Sequence, residues 1–173
     1  MKLTGVDFET ANGSQGSICA IGCAVLEDGV VTEKREWLVR PYKSLDHVSS
    51  ACHKAHGIGY YDLREAPEFP EFWPVLSRML SGAEYVVLHN APFDLGHLRA
   101  ALTLYRLPAI RFHYVCSLAV SRKKHPEMSS HSLDVMASFF DHHFRHHDAL
   151  EDAIACAHIL FKMKFEEKDT AVR

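Results

Sequence analysis

Hydrophobic and polar positions along the chain change their period several times, and each change marks an element. Leu3–Thr10 sets Leu3, Val6 and Phe8 among polar residues and reads as a strand. Ile18–Leu26 is almost wholly apolar, the pattern of a strand covered on both faces. Asp28-Gly29 is a hairpin signal, because glycine accepts a positive φ. Val30–Val39 then follows as a third strand, and the chain opens as an antiparallel meander. Tyr42–Pro67 keeps no sustained period, with a short helix expected near Ser49–His53. Between Pro70 and Leu80, the apolar stripe Phe72, Leu76, Met79 and Leu80 predicts a helix. Tyr85–Leu88 is a short apolar run that reads as a buried strand. Pro92 suits the first turn of a helix, where its missing N–H costs nothing, and that helix should reach about Tyr105. Phe112–Cys116 is a fifth strand and Leu133–Phe140 a short helix. Asp148-x-x-Glu151 resembles a capping box and opens a last helix, Ala149 to Lys164, with the stripe Leu150, Ile154, Ala157, Leu160 and Phe161.

Three strands followed by alternating helix and strand predict an α/β fold, a mixed sheet flanked by helices. Its two late strands join in parallel, because a helix connects them. No repeat, low-complexity run or Gly/Ser-rich linker interrupts the chain. The expected organisation is one domain over 1–165 and a short polar tail over 166–173.

Composition narrows the class. Of 173 residues, 47% are hydrophobic and 24% charged, which suits a globular domain with a core of its own. No run of about 18 apolar residues exists, so no membrane span is expected. Lys2, Thr4, Gly5 and Asp7 leave no room for the apolar stretch of a signal peptide. Cys19, Cys23, Cys52, Cys116 and Cys156 are odd in number and scattered, which predicts reduced thiols and a cytoplasmic setting. The net charge is −3, from 19 Lys+Arg against 22 Asp+Glu. That argues against broad adhesion to nucleic acid or an anionic membrane, though it leaves room for a local site.

The candidate chemistry lies in acidic residues. Asp7 and Glu9 are two apart on a predicted strand and so share a face. Strand interiors disfavour both residue types, and paired carboxylates repel unless a proton or a cation relieves them. A hard divalent cation is the natural relief. Asp94, in His89-Asn90-Ala91-Pro92-Phe93-Asp94, falls in the first turn of a helix. Alone it reads as an acid that complements the helix dipole. Helix starts that follow sheet strands are, however, where α/β folds place ligands. Asp152 lies one turn into the last helix, and His147 precedes the cap. Taken alone the pair reads as surface residues; beside a metal such a histidine can act as a general base. Asp148 is explained as the cap.

Taken together, Val6-Asp7-Phe8-Glu9-Thr10, His89-Asn90-Ala91-Pro92-Phe93-Asp94 and His147-x4-Asp152 resemble the three motifs of the DEDDh 3′–5′ exonucleases. These belong to the DnaQ-like superfamily, which has an RNase H-like fold. The chain most resembles stand-alone relatives of the bacterial polymerase III proofreading (epsilon) subunit. His56-Gly57-Ile58 and His131-Ser132-Leu133 extend the resemblance over nearly the whole chain. Ala11 stands where many members have Gly, and Gly59 where Thr or Ser is common; neither change removes a catalytic group.

The resemblance implies two Mg²⁺ or Mn²⁺ ions and phosphodiester hydrolysis at a 3′ end of single-stranded DNA, releasing nucleoside 5′-monophosphates. It implies Asp7, Glu9, Asp94 and Asp152 as metal ligands and His147 as general base. Thr10 and the backbone of Phe8 would lie near the terminal nucleotide, and His56, Asn90 and Phe93 are further candidates for substrate contact. An exoribonuclease acting on RNA or short oligonucleotides is an alternative, since the same metal chemistry serves both. A proofreading subunit that docks on a DNA polymerase is another, although the short tail leaves little room for a partner-binding extension. His142-His143-x-x-His146-His147 invites a zinc reading, set aside because the stretch is predicted loop and His147 already has a role. Cys19-x3-Cys23 reads as packing. Arg122-Lys123-Lys124-His125 reads as a solvated basic face that could also touch a nucleic-acid backbone.

Overall fold

The computed structural model describes residues 1–172. The chain opens with β1 (Lys2–Thr10), β2 (Ile18–Glu27) and β3 (Val30–Leu38), paired antiparallel. Asp28 and Gly29 turn the β2–β3 hairpin with positive φ at both positions, 50° and 84°. Helix α1 (Ser50–His56) is capped by Ser49, whose side chain accepts from the Cys52 N–H, and ends at left-handed Gly57. A single turn, α2 (Tyr60–Leu63), and a longer amphipathic helix, α3 (Phe69–Ser81), lead into β4 (Tyr85–Leu88). Helix α4 (Ala91–Leu104) carries the chain to β5 (His113–Cys116), and α5 (Ser117–Lys124) and α6 (Leu133–Phe139) follow. The last helix, α7 (Ala149–Met163), is capped by Asp148, which accepts from the Glu151 N–H.

One sheet results, in the order β3-β2-β1-β4-β5-β6, where β6 is Thr170–Val172. The pairs β1–β4 and β4–β5 are parallel, as the connecting helices predict. Each face is covered. On one, Val6, Phe8, Ile21 and Leu88 meet Phe69, Leu76 and Leu80 of α3 and Leu98 of α4. On the other, Leu3, Leu26, Val87 and Val115 meet Met136 of α6 and Cys156, Ile159 and Leu160 of α7. The all-apolar sequences of β2 and β4 follow from this double covering.

The single turn α2 falls in a stretch read as irregular, and two further regions depart from the sequence-based expectation. Helix α5 was not anticipated, because it buries only Ser117, Val120 and Ser121 and so has no apolar stripe to read. Within the stretch read as a short polar tail, Glu167–Asp169 form a 3-10 turn, and Thr170–Val172 add an antiparallel strand to β5. Three residues are too few for a periodic signal. The basic run also differs from a solvated face, since Lys123 pairs with Asp169 at 2.6 Å and Lys124 donates to the Lys164 carbonyl at 2.8 Å. These two lysines hold the end of the chain to α5.

Helix α7 sits unusually close to β1 and β2. A β-carbon at Gly5 would fall 1.9 Å from the Ala153 carbonyl oxygen, and one at Gly22 1.9 Å from that of Ala149. Only glycine leaves room for the helix backbone there. Gly22→Ala should therefore destabilise the fold by at least about 1–3 kcal/mol, lowering the thermal midpoint about 2–4 °C for each kcal/mol. Gly13→Ala, where a β-carbon meets nothing within 4 Å, is the control and should melt like the wild type. Equal melting of the two variants would contradict this seating of α7.

Candidate active site

The close seating of α7 brings the acidic residues together. Gly22 lies directly across from Asp7 in the β1–β2 register, so the start of α7, at Ala149, stands over this part of the sheet. Asp152, in the first turn of α7, thereby meets Asp7 and Glu9. One carboxylate oxygen from each of the three lies within 4.8 Å of the others. Asp94 arrives from the opposite layer. It lies in the first turn of α4, just past the carboxyl end of β4, and accepts the Phe8 N–H through Oδ1 at 3.2 Å. That bond fixes it beside β1, next to Asp7. The site thus forms at the carboxyl ends of parallel neighbours β1 and β4, where α/β sheets bind ligands.

A cleft of about 490 Å³ opens over these groups. Asp7, Glu9 and Asp152 line it together with Thr10, His56, Phe93 and His147. His147 takes a left-handed backbone, φ 63°, and its N–H donates to Asp152 Oδ2 at 3.0 Å. The His56 ring receives the Ile58 N–H at Nδ1 and donates from Nε2 to the Thr10 carbonyl at 3.1 Å. It therefore joins α1 to the end of β1 as a neutral ring, and burial lowers its pKa. The Phe93 ring is 40% exposed and packs on His97, centroids 4.6 Å apart.

Phe8, whose backbone is the substrate candidate, borders the cleft, with its side chain buried in the core on the α3 and α4 face and its N–H held by Asp94. Asn90 is not among the residues that line the cleft; it adopts φ 73° as the residue before α4. Two histidines were missed. His89 lines the cleft and joins three elements, with Nδ1 2.9 Å from Ser117 Oγ and Nε2 3.0 Å from the His131 carbonyl. His146 contacts Asp152 Oδ1 through Nδ1 at 2.9 Å. Its adjacency to His147 was the one available signal. Of the histidine run considered for zinc, His146 and His147 reach a common carboxylate, that of Asp152; His142 instead stacks on His158 at 4.7 Å.

Burial, followed by the neighbouring acids, pushes the Asp7 pKa well up. Burial also raises Glu9 to about 7 and Asp94 to about 8, the latter against the opposing Phe8 hydrogen bond. Asp152 rises through burial, with His146 opposing. Among the described residues, Asp7, Glu9 and Asp94 form no ion pair with Lys or Arg. Four crowded carboxyls, none paired with a lysine or arginine among the described residues and all offering oxygen, fit hard divalent cations such as Mg²⁺ or Mn²⁺.

Comparisons with known proteins agree with this arrangement. The family model described as RNase_T, Exonuclease, matches residues 4–160. The chain is 29% identical, over 160 residues, to a DNA polymerase III PolC-type of Caldanaerobacter subterraneus subsp. tengcongensis. The match covers 91% of this chain and 11% of that protein, so the chain spans about a ninth of the length of such relatives. Exonuclease X, solved in complex with 5′ overhanging duplex DNA, superposes with a TM-score of 0.76 at 22% identity, covering 96% of each chain. The nuclease domain of 3′hExo, a DEDDh family member bound to rAMP, gives 0.76 at 18% identity, covering 99% of this chain and 96% of that one. The fold is therefore the RNase H-like fold of these exonucleases.

The raised carboxyls make a prediction for the metal-free protein. Glu9 and Asp94 bind protons more tightly folded than unfolded, so their protonated forms stabilise the fold at low pH. That contribution is lost as pH rises through about 7 for Glu9 and about 8 for Asp94. His89, lowered to about 4, works in the opposite direction, but below its ordinary value of 6.5. With chelator present, the thermal midpoint should fall as pH rises from about 7 to about 8. Asp94→Asn should flatten that fall, and Mg²⁺ should remove it. A midpoint that rises over this interval in chelator would contradict the assignment.

Proposed function

Because this chain belongs to the exonuclease family, we propose that it removes nucleotides one at a time from the 3′ end of single-stranded DNA. The products are nucleoside 5′-monophosphates. The observation that carries the reading is the convergence of Asp7, Glu9, Asp152 and His147 on one cleft, with Asp94 buried behind it and tied to β1 through the Phe8 N–H.

In this reading Asp7, Glu9, Asp94 and Asp152 hold two Mg²⁺ or Mn²⁺ ions. Bound there, such ions polarise the phosphodiester and make water nucleophilic at neutral pH. The rest of the work falls to the protein. Asp94, anchored by the Phe8 N–H, keeps its carboxyl fixed beside Asp7. The backbone bond from His147 to Asp152 holds the imidazole at the cleft, where it takes the proton from the attacking water. Thr10 and His56 border the place of the terminal sugar. The exposed face of Phe93, steadied by His97, offers a stacking surface that accepts any base.

DNA is favoured because the sequence relatives are DNA polymerase III PolC-type proteins. The second reading is an exoribonuclease, which the rAMP bound to the nuclease domain of 3′hExo favours. The two differ at the 2′ position of the sugar. Association with a DNA polymerase subunit is a further proposal that rests on the PolC-type relatives.

The test is digestion of 5′-labelled single-stranded DNA and matching RNA with Mg²⁺ or Mn²⁺. A ladder shortened from the 3′ end of DNA is expected, and a ladder on RNA alone would move the protein to the second reading. Asp7→Asn should abolish cleavage; wild-type turnover in that variant would overturn the assignment. His147→Ala should slow hydrolysis about 10²–10⁴-fold and change the shape of the pH–rate profile; an unchanged profile would contradict the role.

A further inference from the structure

His146 has no part in the hydrolysis proposed above, yet its ring stands at the same cleft. Its Nδ1 is 2.9 Å from Asp152 Oδ1, and its side chain is 37% exposed while that of Asp152 is buried. The rings of His146 and His147 stack with centroids 4.0 Å apart and planes inclined by 22°. Neighbouring residues in extended chain point their side chains apart. Here the left-handed backbone of His147, φ 63°, turns both rings to one side. The outcome is a second ligand group: one nitrogen from each of His146 and His147 and one Asp152 oxygen lie within 4.8 Å of one another.

We propose that His146, His147 and Asp152 form a binding site for Zn²⁺ or a similar borderline transition ion, distinct in donor chemistry from the carboxylate site and sharing Asp152 with it. Two imidazoles and one carboxylate form the protein half of a four-coordinate zinc centre, with water at the open position. Nitrogen donors suit zinc, copper and nickel, whereas Mg²⁺ takes oxygen and keeps its waters. The site therefore selects against the ion that the neighbouring carboxylates select for. The contacts already on hand require only small ring and carboxylate shifts to bring three donors to one ion, and both rings face solvent, so entry is open. Occupancy would draw Asp152 toward the histidines and tie up the imidazole assigned to proton transfer. Zinc would thus act as an inhibitor; this consequence rests on the proposed hydrolysis, while the binding itself rests on the side chains alone.

The experiment titrates Zn²⁺, and Co²⁺ as its spectroscopic substitute, into the full untagged chain in excess Mg²⁺. The expected result is one tightly held Zn²⁺ per chain. Co²⁺ should show the strong visible bands of a four- or five-coordinate nitrogen site, not the faint bands of an octahedral oxygen site. His146→Ala and His146→Gln should each weaken zinc binding at least about tenfold; the glutamine retains a hydrogen-bond donor toward Asp152 should the alanine variant fold poorly. Glu9→Gln, which alters only the carboxylate group, should leave zinc affinity unchanged. Zinc affinity that falls in Glu9→Gln and survives both His146 variants would overturn the proposal, as would no zinc binding by the wild type. If the wild type cuts neither DNA nor RNA, the proposed function fails while this titration still decides the site, because it reads metal binding alone.

Discussion

The approach of α7 to the sheet is the constraint on which the site depends. Gly5 and Gly22 let the backbone of the last helix descend where any side chain would collide with the Ala153 and Ala149 carbonyls. Gly22 is the register partner of Asp7, so the tightest packing in this layer occurs beside the first carboxylate. The Asp148 cap fixes where the helix begins, and the next turn delivers Asp152 to Asp7 and Glu9. A helix standing a methyl group further out would leave these oxygens too far apart to share an ion. Backbone clearance, set by two glycines on adjacent strands, therefore determines how closely the carboxylate of the helix approaches those of β1.

The same packing creates an electrostatic conflict. Asp94 is 2% exposed and Asp152 3% exposed, and neither meets a lysine or arginine among the described residues. Burial and mutual repulsion both favour protonation, which is why Asp7, Glu9 and Asp94 all shift upward. A fold optimised for stability alone would place one basic residue here. Its absence means that the metal-free protein carries a cost that a bound cation relieves, so ion binding and folding are linked. The histidines soften this conflict only at Asp152, where the His146 ring and the His147 N–H serve both oxygens.

Much of this was legible in the sequence, for identifiable reasons. The strands β1, β2 and β4 announced themselves through apolar runs, and α7 through its stripe and its Asp148 cap. The acids stood out because Asp7 and Glu9 oppose the propensity of a strand. What was not legible depends on distance rather than pattern. The three-residue strand β6 has no period to detect, and α5 has no stripe. Asn90 was a reasonable candidate by its position before α4, yet its left-handed backbone gives it a structural part and leaves it off the cleft. His146 could not be told from its neighbours in a run of four histidines, since only the φ of His147 turns it toward Asp152.

Charge distribution bears on how such a cleft would hold a polyanion. The chain is net negative, and its most concentrated feature is a set of four acids, so bare electrostatics opposes a nucleic-acid strand. The basic run that looked available for phosphate contact is partly engaged, with Lys123 and Lys124 fastening residues 164–169 to α5. Arg145, at the rim near His146, is paired with Asp148. Under the proposed function, cations held by the acids would invert the local sign and add attraction for phosphate. Binding and chemistry would, under that function, switch on together: ions held by the acids would both attract a phosphate and activate it.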